Sequence, residues 1–212
     1  MVESGKTGPP VIFWIGVSEM LDERLGHLER RVVTDWAHLG RETAAKGVRC
    51  VGLVPDAGPA AWLHKFYPGC PPVELDQAES RMGAAIPPPV REVLLRLNGL
   101  GLFLRGLHLY GITPGGLLRR NPAEPQPLSL EAAYRTWRHE YPTVRSSDYM
   151  VGGSGLGDGA YYLLRDNMIV KVGRKVGPEL GRWESIAEML EAEYEALAPR
   201  WDGQGHRLDG PQ

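Results

Sequence analysis

Apolar residues recur every three or four positions through one long stretch of the chain: Leu21, Leu25, Leu28, Val32, Trp36 and Leu39. That spacing lays a single stripe along a helix and predicts a long amphipathic helix from Ser18 to about Lys46. Ser18 is the expected cap and Gly47 the expected stop. Ahead of it, residues 1–10, ending Gly8-Pro9-Pro10, read as a loose tail, and Val11 to Val17 as a short apolar run. Arg49 to Val54 reads as a short strand. Ala57 to Pro72, punctuated by proline and glycine, reads as a connector.

Two short helices are expected next. Pro72 suits the first turn of one, which carries Leu75, Ala78 and Met82 and stops at Gly83. Pro87 to Pro89 open the other, with Val90, Leu94 and Leu97, and Asn98-Gly99 is its expected end. Leu102 to Ile112 reads as one strand with Gly106 a bulge, and Gly115 to Pro127, with three prolines, as loop. Ser129 caps a helix through Leu130, Ala133 and Trp137 that ends before Pro142. Tyr149 to Gly152 is a short strand. Ala160 to Leu164 and Met168 to Val172 form a hairpin around Arg165-Asp166-Asn167. The last helix starts near Ser185, where Ser185-x-x-Glu188 is a capping-box pattern, and runs to about Ala198.

Helices flanking strands without regular βαβ alternation predict an α+β fold. The expected division is a tail and apolar segment over 1–17, a helix and connector over 18–71, the main α+β domain over 72–198 and a polar tail over 199–212.

Composition narrows the function more than it names it. In 212 residues, 42% are hydrophobic and 24% charged, a globular balance, and the formal net charge of -2 gives no general pull toward nucleic acid or an anionic membrane. Val11 to Val17 is seven residues, against the ~20 that span a bilayer, and no Ala-x-Ala-like cleavage site follows it. Cys50 and Cys70 are too few for a disulfide framework or a zinc site, so reduced thiols and a cytoplasmic setting are expected.

The motifs that could carry chemistry each lack a part. Gly5-Lys6-Thr7 has neither the earlier glycine nor the leading strand of a phosphate-binding loop. Gly155-x-Gly157-x-x-Ala160 matches a dinucleotide fingerprint but runs into Tyr161-Tyr162-Leu163-Leu164, a strand where a helix is required. Gly152-x-Ser154-x lacks the closing glycine of a nucleophile elbow. His139-Glu140 has Thr143 where a zinc-protease helix needs its second histidine, and His27, His38, His64, His108 and His206 show no ligand spacing. Neither catalytic residue, cofactor nor metal is expected. One charge pattern stands out: Glu184, Glu188, Glu191 and Glu195 fall within about 60° of one another on a helix. The bland account is a solvated face. The functional one is an acidic surface for a basic partner.

Three ordered blocks resemble the SUKH superfamily, which is rich in bacterial immunity proteins. Glu79-x-x-Met82-Gly83-x-x-Ile86-Pro87 is similar to its acidic–x–x–aliphatic–Gly–x–x–aliphatic–Pro element. Leu94 to Gly99, ending in Asn98-Gly99, matches the helix end that follows. Val151 to Gly159, with Gly157-Asp158-Gly159 leading into Tyr161-Tyr162, resembles the later turn, and the closing amphipathic helix also fits. The likeness spans roughly 72–198. It implies a twisted, largely antiparallel sheet flanked by helices, here with a long N-terminal helix added. For bacterial members it implies non-catalytic neutralisation of a cognate toxin by direct binding, with no catalytic residue to transfer. A regulatory scaffold of the same fold, and a small-molecule-binding protein using the Gly152–Gly159 loop, are the alternatives. A protein partner, with neither nucleic acid nor membrane, is the expectation, and the oligomeric state is left open.

Overall fold

The computed structural model describes the backbone of residues 12–113, 125–137, 141–156, 159–175 and 177–208, and the side chains of all these except 12–18, 136 and 137. The N-terminal tail, Gly5-Lys6-Thr7, most of the Gly115–Pro127 loop, His139-Glu140, Gly157 and Asp158 lie outside the described residues.

The fold is α+β. Among the described residues, one sheet has ten strands, nine of them in the order β1 (Arg41–Thr43), β2 (Arg49–Leu53), β3 (Trp62–Pro68), β4 (Leu97–Leu102), β5 (Leu107–Gly111), β7 (Tyr149–Ser154), β8 (Ala160–Arg165), β9 (Met168–Gly173) and β10 (Glu179–Trp183). Every neighbouring pair in that order is antiparallel, and the two-residue β6 (Leu128–Ser129) joins β5 in parallel. The helices are α1 (Ile12–Trp36), α2 (Pro72–Met82), α3 (Pro88–Arg96), the single turn α4 (Leu130–Ala132), which runs into a π-helical turn over Ala133–Trp137, and α5 (Ile186–Leu197).

Register separates the two faces of the sheet, because side chains alternate along each strand. One cross-strand row reads Arg49, Phe66, Leu100, Leu109, Gly152, Tyr162, Lys171. This row faces the helices: Arg49 pairs with Glu29 of α1 and Lys171 with Glu193 of α5. Leu28, Val32 and Trp36 of α1, Val93 and Leu94 of α3, and Met189, Leu190 and Tyr194 of α5 complete that core. The adjacent row reads Cys50, Lys65, Gly101, His108, Gly153, Tyr161, Val172, and faces away from these helices.

Several sequence expectations hold. Gly83 ends α2 in the left-handed conformation, at φ 67°. Asp166 and Asn167, both at positive φ, make the two-residue turn of the β8–β9 hairpin. Ser185 Oγ accepts the Glu188 N–H, while the Glu188 carboxylate reaches Glu184 N–H, one residue earlier than the usual box. Ser129 Oγ likewise accepts the Ala132 N–H, although only one α-helical turn follows.

Others are corrected. α1 begins at Ile12, so Ser18 lies inside it, and it ends at Trp36. Gly40, at φ 110°, breaks the chain before Gly47, and Arg41–Thr43 becomes an edge strand. The supposed connector holds β3, a strand in the middle of the sheet. α3 stops at Arg96, and Asn98-Gly99 sits within β4, where the Asn98 amide brackets Ile112 by donating to its carbonyl and accepting its N–H. Leu102–Ile112 is a hairpin rather than one strand, with its turn at 103–106. The sequence reading also missed β10. Finally, the C-terminal stretch is not a free tail: Trp201 is buried and stacks on Phe103, and Leu208 N–H donates to the Arg200 carbonyl.

Away from the helices, the 141–148 segment is tied to β8 by a buried ion pair. Arg165 donates to Asp148 through Nε (2.9 Å) and Nη2 (2.6 Å), and also reaches Glu179 and the Thr143 carbonyl. Both partners are almost wholly buried. Removing one leaves an uncompensated charge, so Asp148→Ala is expected to lower unfolding stability by about 3–5 kcal/mol. The double variant Asp148→Leu/Arg165→Met should lose clearly less. Urea denaturation of the three proteins checks this.

On the helix face, His64 stands among Trp36, Phe103 and Tyr194, with ring centroids 4.7 Å from Phe103 and 5.8 Å from Trp36. Among the described residues, neither ring nitrogen has a hydrogen-bond partner, and burial pushes its pKa down to about 3. A depressed histidine pKa means the unfolded chain takes up the proton first. The contribution is whole above about pH 6.5 and is lost as pH falls toward 3, at about 1.4 kcal/mol per pH unit. His64→Leu should remove that part of the acid slope, read as unfolding free energy measured from pH 7 to pH 4.

Candidate functional site

Over β3, β4 and β5 the face turned away from α1, α3 and α5 carries a concave basin of about 290 Å³. Its chemistry comes from Lys65 of β3, Arg105 of the β4–β5 turn and His108 of β5, with Trp62 and Tyr67 as aromatic walls and Leu104 at the rim. Register explains the grouping: Lys65 is opposite Gly101, and Gly101 is opposite His108. Gly101 places no side chain between the two, which leaves the hollow. Val48, Cys50 and Tyr67 form a small apolar cluster beside it, with Trp62 packed against them.

The β4–β5 turn has an unusual backbone. Phe103, Leu104 and Arg105 are three successive non-glycine residues at positive φ (53°, 55° and 72°). Side chains in this region cost roughly 1–2 kcal/mol per residue, and strain of this kind gathers at functional sites. The turn is held at three points: Leu104 N–H donates to the Leu63 carbonyl, Gly106 N–H to Phe103, and Gly155 N–H to Arg105. Phe103 is fully buried on the helix side, whereas Leu104 and Arg105 are exposed at the basin.

The charges are uneven. Among the described residues, neither Lys65 nor Arg105 forms a salt bridge. His108 is neutral near pH 7, since burial lowers its pKa to about 4 against an opposing hydrogen bond with the Arg105 backbone, and its Nδ1 is buried without a partner. Burial pushes the Tyr67 hydroxyl up to about 12, with Arg105 pulling the other way, so it stays a neutral donor. Among the described residues, the basin therefore carries two cations and no anion. The thiols are not primed as nucleophiles: burial raises Cys50, and burial with Glu74 raises Cys70 to about 12.

The described part of the glycine tract underlies this site. Gly152 and Gly153 belong to β7, where a Cβ at 152 would collide with the His108 carbonyl oxygen and one at 153 would lie 3.0 Å from the His108 ring. Gly159, at φ 72°, packs against Arg174.

The remaining residues singled out by sequence are dispersed. Glu79 accepts the Ile86 N–H at 2.8 Å across the Gly83–Pro87 turn and pairs with Arg91, tying the end of α2 to the start of α3. Pro87 precedes the first turn of α3. Gly99, at φ 94°, lies so close to Pro127 that a Cβ could not enter. Of the four glutamates predicted to share a helix face, Glu184 lies before α5, and two of the three on α5 meet α1: Glu195 pairs with Arg31, and Glu191 lies 3.8 Å from Arg24. Glu188 serves the start of its own helix, and Glu184 borders a groove with Arg24. Glu193, on the apolar side of α5, is buried against Lys171 at 2.8 Å. Lys65, Arg105 and His108 carry no pattern along the chain, because strand register alone brings them together.

Among the described residues, no three His, Cys, Asp or Glu side chains cluster as a metal set, and no helix is long and apolar enough to cross a membrane. A scan against protein-family models gives no match, and comparison with curated proteins gives none either.

If the turn at Arg105 carries strain for a purpose other than stability, relieving it should make the fold stronger. Arg105→Gly is expected to stabilise by about 0.5–1 kcal/mol, the left-handed cost less the entropy that glycine adds to the unfolded chain. Arg105→Gln keeps the strain and should change stability by less than about 0.5 kcal/mol. Thermal and urea unfolding distinguish the two.

Proposed function

We propose that the protein is a non-catalytic binding protein whose partner is a bacterial toxin domain, which it neutralises by direct occlusion. The observation that carries this reading is the Glu79 clasp. The carboxylate fastens the Gly83-x-x-Ile86-Pro87 turn by the Ile86 N–H, so the most distinctive SUKH-like block acts as a folded joint between two helices. The antiparallel sheet flanked by helices agrees with the same resemblance. A rigid sheet with a basin open on one side offers a partner a preformed surface, which lowers the ordering cost of association.

Co-expression with the product of the neighbouring gene tests the proposal. Rescue from toxicity together with a stoichiometric complex on size exclusion is the expected outcome. A toxic neighbour that is neither bound nor relieved would end the immunity reading. Stable capture of several unrelated cellular proteins would instead favour a regulatory scaffold.

A further inference from the structure

We propose that the basin at Lys65 and Arg105 is the docking point for that protein partner, and that the partner fills it with an acidic side chain flanked by an apolar one. That the occupant is a protein rests on the function proposed above; the chemistry of the occupant rests on the basin itself.

Charge comes first. Two cations share one hollow, and neither has a salt-bridge partner among the described residues. Elsewhere the protein's arginines are often matched: Arg31 with Glu195, Arg49 with Glu29, Arg81 with Glu131, Arg91 with Asp76, and Arg165 with Asp148. A carboxylate entering the basin meets a guanidinium able to bind it through two N–H groups, a flexible ammonium, and the Tyr67 hydroxyl as a neutral donor. Neutral His108 adds no competing charge.

Size and surface then select among acidic ligands. About 290 Å³ lies at the lower end of small-molecule pockets, so one or two side chains fit better than a nucleotide-sized cofactor. Trp62 and the 38%-exposed Leu104 give the rim an apolar border. An aromatic and an arginine at the centre with apolar contact around them is the composition of an interface hot spot. The strained turn fixes Arg105 in place before a partner arrives.

The test uses the full chain, 15N-labelled, titrated at low salt with the blocked peptide acetyl-Asp-Glu-Leu-Glu-amide. Its controls are acetyl-Asn-Gln-Leu-Gln-amide and inorganic phosphate. Saturable shifts at the Trp62 indole N–H and the Lys65, Arg105 and His108 amides are expected with the acidic peptide alone. Arg105→Glu should weaken binding by about tenfold or more, and added salt should weaken it in the wild type. Lys65→Glu serves as the second variant should Arg105→Glu unfold. The proposal is overturned by absence of these shifts at millimolar peptide, by equal affinity in a folded charge-reversal variant, or by phosphate producing the same shifts at lower concentration. Failure of toxin rescue with the peptide result intact would strike the immunity reading alone. A toxin bound equally well by wild type and Arg105→Glu would strike the basin alone.

Discussion

Burial of the Phe103 ring is the contact through which most of the molecule is coupled. The ring meets Trp36 of α1 edge-on, His64 of β3, Tyr194 of α5 and Trp201 of the C-terminal turn, with centroids 4.7–5.9 Å apart. Residues from α1, β3 and the contiguous α5–C-terminal stretch share this one side chain. Each aromatic contact adds roughly 0.5–1.5 kcal/mol beyond area burial. Together they can hold the next two residues in a backbone state that costs them several kcal/mol. The buried ring on one face thus sets the position of Leu104 and Arg105 on the other.

The same link explains how the two faces divide their work. Helices and rings on one side close the larger core; over β3, β4 and β5 the opposite side keeps a shallow hollow with two cations that no described residue pairs. Glycines at 101, 152 and 153 make the division possible. The first leaves the hollow empty, and the other two let β7 lie close against β5. At Gly152 and Gly153 the glycine tract serves the spacing between strands.

What was legible in the sequence was whatever depends on near neighbours. The Gly83 stop, the Asp166-Asn167 turn and the Ser185 cap each follow from local backbone chemistry, and each stands in the structure. The bond from Ile86 N–H to Glu79 spans seven residues and belongs to the same local class. β3 is illegible because burial does not alternate along it: Leu63 and Tyr67 are as sequestered as His64 and Phe66, so no alternation of polar and apolar residues marks it. The glutamate stripe on α5 was visible but its surroundings were not, since Arg24 and Arg31 sit more than 150 residues earlier. Lys65 and Arg105 gave no signal at all, because isolated basic residues acquire meaning only once strand register sets them beside one hollow.

One consequence concerns the order in which the chain is made. Trp36 donates to the Tyr194 hydroxyl and Tyr194 donates to Asp35, contacts separated by 158 and 159 residues. Through most of synthesis α1 has strands to lie on and no α5 to close over it. Its apolar stripe, and the ring of Phe103 beneath, wait for the last turns of the chain to emerge. Such long-range closure slows folding and leaves sticky surface open to wrong partners in the interval. The final helix therefore acts as the latch of the whole domain, completing a core that the first helix began.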